Sequence, residues 1–236
     1  EDLGGTSFRG EGPCRCSRRW AILDRCLGRS IAWTLRARLS DVASNALTEW
    51  KTAGLERLAE LEAVHAQLSG TGRGRRWGTT QLNRSLFLAL SAQFQSYCRD
   101  LHDEAVQVHV AAATAAQQPM LQVLLTQGRK LDTGNPRRSA LGSDFVRLGF
   151  DFIADLKGKG SPTVDRLDML EVLLDYRNAI GHGDETRIAG LEAAGGIAAT
   201  KRSYQQYRQA LNGLAGTMDD VVSDRLSQVL SIGRPW

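Results

Sequence analysis

The chain has 236 residues, 42% hydrophobic and 24% charged, which suits a globular domain with a sizeable buried core. No apolar run approaches the roughly 18 to 20 residues that cross a bilayer, and the first thirty residues carry arginines without a clean apolar stretch, which argues against a membrane span or signal peptide. The formal charge of +4 is local, because residues 1–40 hold eight arginines against four acids while residues 41–236 hold 22 basic and 22 acidic side chains. The pI is therefore weak evidence about what the body of the protein binds.

Residues 1–39 are rich in Gly, Arg and Cys without sustained periodicity and read as a basic N-terminal extension. Cys14, Cys16 and Cys26 fall there and Cys98 stands alone; with no CxxC pair and no adjacent histidine they predict reduced thiols in a cytoplasmic chain. Over residues 40–68, with Ser40 as N-cap, Leu58, Leu61, Val64 and Leu68 step by three, three and four and predict a first long helix. Residues 69–80, with four glycines, are a loop carrying Arg73, Arg75 and Arg76 beside Trp77. Leu82, Leu86, Leu90, Phe94, Tyr97, Leu101, Ala105 and Val108 then mark the clearest helix, a central core element.

Pro119 opens a further helix through Leu131, with Met120, Val123, Leu124 and Leu131 as its apolar members. Residues 132–142 read as a loop holding Arg137 and Arg138. Either basic cluster has the charge to grip a phosphate backbone, or simply to stay solvated. Phe145, Leu148, Phe152 and Leu156 mark a short helix ended by the linker Lys157-Gly158-Lys159-Gly160, which lacks the GxxxxGK[ST] spacing of a phosphate loop. Val164, Leu167, Leu170 and Leu174 predict a helix starting near Ser161-Pro162-Thr163. Residues 183–202 are Gly- and Ala-rich with no clear element. Tyr204, Tyr207, Leu211, Leu214, Met218, Val221, Arg225 and Val229 trace a last helix whose stripe packs in the bundle or against a second subunit. Residues 231–236 are a C-terminal tail. Without alternating strand patterns, the expected fold is all-α, an up-and-down helical bundle over residues 40–230 with additional short helices.

Few residues offer chemistry. His65, His102 and His109 lie in predicted helices without HxxxH or HExxH spacing, no GxSxG elbow occurs, and nothing calls for a metal or cofactor. The exception is Leu174-Asp175-Tyr176-Arg177-Asn178-Ala179-Ile180-Gly181-His182-Gly183. Arg177 lies seven residues past Leu170, about two turns, so it is expected on the inward face, where a guanidinium must find an anion or acceptors. Gly181 is the expected helix stop, releasing His182. Two readings stand at this point. Arg177, Asn178 and His182 together handle a phosphate, or Arg177 pairs with Asp100 or Asp103 on the neighbouring helix while His182 and Gly183 cap a helix end.

The motif resembles that of the HEPN superfamily (higher eukaryotes and prokaryotes nucleotide-binding domains), all-α bundles marked by Arg, a polar residue, a short spacer and His. Arg177, Asn178 and His182 occupy those positions, after a lead-in Leu173-Leu174-Asp175-Tyr176 similar to the family's. The resemblance covers residues 40–230, with only the motif specific. It implies a metal-independent endoribonuclease acting on RNA as a homodimer, a toxin or antiviral defence effector with an antitoxin protein as a further partner. The alternative it implies is a non-catalytic RNA-binding or protein-interaction module. One toxin subgroup carries a modifiable tyrosine two residues after the histidine; Asp184 stands there and sets this chain apart from that subgroup. Within the resemblance His182 would move protons, Arg177 would stabilise phosphoryl charge, and Asn178 would position the substrate.

Overall fold

The computed structural model describes residues 42–69 and 79–236. The basic extension 1–39, Ser40, Cys14, Cys16, Cys26, Arg73, Arg75, Arg76 and Trp77 lie outside the described residues. Among the described residues every regular element is helical. In chain order these are α1 (Asn45–Glu49), a π-turn (Trp50–Gly54), α2 (Leu55–Ser69), α3 (Thr79–Ala112), α4 (Gln118–Thr126) and α5 (Lys130–Thr133). They continue with α6 (Arg138–Phe145), a 3₁₀ turn (Val146–Leu148), α7 (Phe152–Gly158), α8 (Ser161–His182), α9 (Glu185–Ala193) and α10 (Lys201–Leu230). The all-α expectation holds, and Ala43–Trp236 forms one compact unit.

The long helix α3 is the centre, as its period predicts: Leu86, Leu90, Phe94, Tyr97, Leu101 and Ala105 are all buried. Phe87 does what the pattern does not announce. Its ring meets Tyr176 of α8 and Tyr204 and Tyr207 of α10 edge-on, with centroids 5.3, 5.9 and 5.8 Å away. Such contacts each add about 0.5–1.5 kcal/mol beyond burial, so one residue joins the three long helices.

Several expectations change in detail. The first helix is capped by Ser44, whose Oγ accepts from the Leu47 N–H at 2.9 Å and donates to Asp219 of α10. Of its predicted stripe only Leu58 is buried, while Leu61, Val64 and Leu68 are exposed. The inward positions of α2 are instead Leu58, Glu62 and His65, because Glu62 is paired with Arg208 of α10 and a polar residue thus occupies the core-facing line. The helix expected from Pro119 to Leu131 breaks at Gln127-Gly128; Leu125 and Leu131 are buried, and Met120, Val123 and Leu124 face solvent. The chain restarts as α5 because the buried Asp144 carboxylate accepts from the N–H groups of Lys130 and Leu131 at 3.0 and 2.8 Å.

Phe145, Leu148, Phe152 and Leu156 are all sealed in the core, but Gly149, at φ +91°, splits them between α6, the 3₁₀ turn and α7. Part of the expected loop at 132–142 belongs to α5 and α6, and the unassigned stretch 183–202 contains α9. The stripe of α10 packs inside the bundle from Tyr204 to Val221, while Arg225 binds Asp155 of α7 and Val229 is exposed. The tail 231–236 folds back, burying Trp236, whose carbonyl accepts from Ser223 Oγ at 2.7 Å. No helix among the described residues is long and apolar enough to cross a membrane.

Candidate functional site

Helix α8 buries Leu167, Leu170, Leu173, Leu174 and Tyr176 against the bundle. A second line runs beside them, Asp168, Glu171, Asp175, Asn178 and His182, stepping by three and four and therefore sharing one face. Its carboxylates are engaged. Arg138 binds Asp168, Arg137 reaches Glu171 at 2.9 Å and Asp175 at 2.6 Å, and Arg187 of α9 reaches the same Asp175 Oδ1 at 3.2 Å. The bond to Asp175 raises the Arg137 guanidinium further above its ordinary pKa. Arg137 and Arg138 are thus neither free for phosphate nor merely solvated, because they clamp the start of α6 onto α8.

Beyond the last carboxylate the partners become neutral. The Asn178 Oδ1 accepts from Arg177 Nη1 at 3.1 Å and from Asn135 Nδ2 at 2.8 Å. Arg177 is half-buried rather than sealed inward, and among the described residues no carboxylate lies within ion-pair distance of it. It pairs with neither Asp100 nor Asp103. Asp103 is bound to Arg129, and burial first, then the neighbouring Asp103, raises the Asp100 carboxyl above its usual range. The purely structural pairing considered for Arg177 is therefore not what the fold builds.

Arg177 and His182 are five residues apart, about 140° around a helix, whereas Asn178 and His182 are separated by about 40°. The bond to Asn178 carries the Arg177 guanidinium around to the Asn178–His182 side. The His182 side chain is exposed and its ring hydrogen-bonds to no described residue. It is the last residue of α8, since Gly181 stays helical and the stop falls two residues later, at Gly183 with φ +67°. The N–H of Gly183 donates to Ile180 O at 3.1 Å and that of Asp184 to Ala179 O at 2.9 Å, a Schellman closure needing a left-handed residue where only Gly183 stands.

The turn that follows is anchored from its far side. Asp184 caps α9 by accepting from the Arg187 N–H at 2.9 Å, so the residue two past the histidine has a structural task. Glu185 then meets Arg84 of α3 through two bonds of 2.7 and 2.8 Å. That pairing raises the Arg84 pKa and lowers that of Glu185. His182 is therefore an exposed group on a rigid corner.

The other candidates resolve into packing. His102 is buried with Nε2 3.1 Å from Asp144 O and Nδ1 3.1 Å from Arg129 Nη1. His109 contacts Leu148 O at 3.1 Å. Burial pushes the Cys98 thiol pKa up and away from thiolate chemistry. Among the described residues no three His, Cys, Asp or Glu side chains converge as a metal-holding group. A cavity of about 390 Å³ lies between α7 and α10, and no motif residue lines it. Sequence reasoning missed Asn135, Asp175 and Arg187. The three-and-four spacing of the polar line on α8 marks Asp175, whereas Asn135 leaves no periodic signal. Compared with protein-family models, with curated proteins and with solved structures, the chain matches none.

Proposed function

We propose that this chain is a metal-independent endoribonuclease of the HEPN type, with Arg177, Asn178 and His182 as its catalytic groups. One observation carries the reading: a guanidinium and an imidazole, both without carboxylate partners among the described residues, sit with an amide at the open end of α8. RNA cleavage without a metal needs the ribose 2′-OH to lose a proton as its oxygen bonds phosphorus, while the bond to the 5′-oxygen breaks and that oxygen gains a proton. A histidine is suited to either transfer near neutral pH. Arg177 would meet the charge growing on the phosphoryl oxygens and Asn178 would hold them in place. The products are a 2′,3′-cyclic phosphate and a 5′-hydroxyl. Each chain brings one His and one Arg, so a homodimer that faces two motifs would supply both an acid and a base. In this reading the protein is a toxin or antiviral defence effector, cytoplasmic, with an antitoxin protein as a further partner.

The test is incubation of wild type, Arg177→Ala and His182→Ala with total RNA in EDTA. Cleavage by wild type and its loss in both folded variants supports the assignment; undiminished cleavage by both sinks it. The alternative is a non-catalytic module that binds RNA or a protein, and a different observation favours its protein-binding form. Arg137, Arg138 and Arg187 beside the motif are already neutralised by Asp168, Glu171 and Asp175, which leaves little free positive charge for a polyanion. RNA or protein binding by a preparation that cuts no RNA would select it.

A further inference from the structure

We infer that Asn135, outside the motif and between α5 and α6, is a positioning residue that, together with Arg177, holds the Asn178 amide with its oxygen turned inward and its NH₂ toward the substrate. The inference rests on the reading of the motif as an RNA-handling site. A terminal amide can turn either its oxygen or its NH₂ in a given direction, and two facing asparagines can swap roles without losing their mutual bond. Arg177 breaks that symmetry. As a pure donor it requires the Asn178 Oδ1, and Asn135 Nδ2 converges on the same oxygen at 2.8 Å. The Asn178 NH₂ is left without a partner among the described residues, as are the remaining Arg177 N–H groups. Beside His182 they form a donor set that suits phosphoryl oxygens.

Asn135 is itself held from two sides. Gln95 of α3 donates to Gly134 O at 2.7 Å, the Arg137 N–H donates to Asn135 O at 2.8 Å, and Arg137 is clamped on Glu171 and Asp175 of α8. Pro136 between them is buried. The Asn135 amide that helps hold Asn178 is thus supplied by a segment tied to both α3 and α8, which is how a positioning group keeps its geometry.

The test is a double-mutant cycle on RNA cleavage with Asn135→Ala, Asn178→Ala and the pair, alongside His182→Ala. Asn135→Ala is expected to lower kcat about tenfold with KM within about twofold, because a misdirected donor is lost in the transition state. In the Asn178→Ala background the same change is expected to do nothing further. Additive losses, or an Asn135→Ala enzyme as fast as wild type, overturn the role of Asn135 while leaving the motif assignment intact if His182→Ala is dead. If wild type cuts no RNA, the nuclease reading fails, and the cycle is read on the affinity for a 2′-O-methyl oligoribonucleotide. Coupled losses there sustain the role of Asn135, additive losses refute it, and absence of binding overturns both readings.

Discussion

Arg177 Nη1 and Asn178 Oδ1 lie 3.1 Å apart, a bond between consecutive residues of one helix that brings a guanidinium to the side of the imidazole four residues beyond. A lysine at 177 would keep the charge but lose the planar fork that binds the amide and a phosphoryl oxygen together. Arg177→Lys is therefore expected to lower RNA cleavage by about 10²-fold or more. Stability should change little, since no ion pair is broken, and a thermal midpoint within a few degrees of wild type checks that. Retention of more than a tenth of the activity would mean that a point charge suffices.

Two glycines at the end of α8 separate cleanly by substitution. Gly181 is helical with open space where a Cβ would stand, so Gly181→Ala is expected to stabilise by about 0.5–1 kcal/mol. Gly183 has equal space but φ +67°, where an L side chain costs about 1–2 kcal/mol, so Gly183→Ala is expected to destabilise and to loosen the corner that holds His182. Urea denaturation of the two variants gives opposite signs. Matching signs would move the helix end.

In α3 and α10 a long three-and-four repeat and the fold agree, whereas the shorter repeat of α2 points mostly to solvent. Reading fails where a long-range polar contact replaces a hydrophobic position. Glu62 stands on the inward line of α2 because Arg208, 146 residues away, neutralises it, and no local pattern contains that fact. The break before α5 is of the same kind, since the N–H groups of Lys130 and Leu131 are satisfied by Asp144. At the site, Arg177, Asn178 and His182 were legible because one helix carries them. Asn135 was not, because its link to Asn178 spans 43 residues and involves two neutral amides of a kind common in loops.

Asp144 is fully buried and its carboxylate ties α6 to the start of α5, so Asp144→Ala strands two backbone N–H groups there, that of Leu131 in the core. The expected loss is about 2–4 kcal/mol by denaturant unfolding. None of its bonds involves the motif, so the folded variant should cleave RNA at the wild-type rate below its melting range. A variant that is stable but inactive would tie this region to the site.

The tautomer of His102 gives a pH signature. Nε2 faces the carbonyl of Asp144 and must donate, and Nδ1 faces Arg129 and must accept, so the ring is held neutral. Burial, together with the Arg129 charge, lowers its pKa below the ordinary value, and burial lowers that of His109 as well. The unfolded chain thus binds more protons than the folded one between the lowered values and about 6.5. Stability from these two rings is complete above that range and is lost as pH falls through it. Unfolding free energies measured from about pH 8 to pH 5 should decline over this window in wild type. His102→Gln keeps an N–H for Asp144 but cannot titrate, so it should start lower at pH 8 and fall less steeply. An unchanged slope would assign the acid sensitivity to His109.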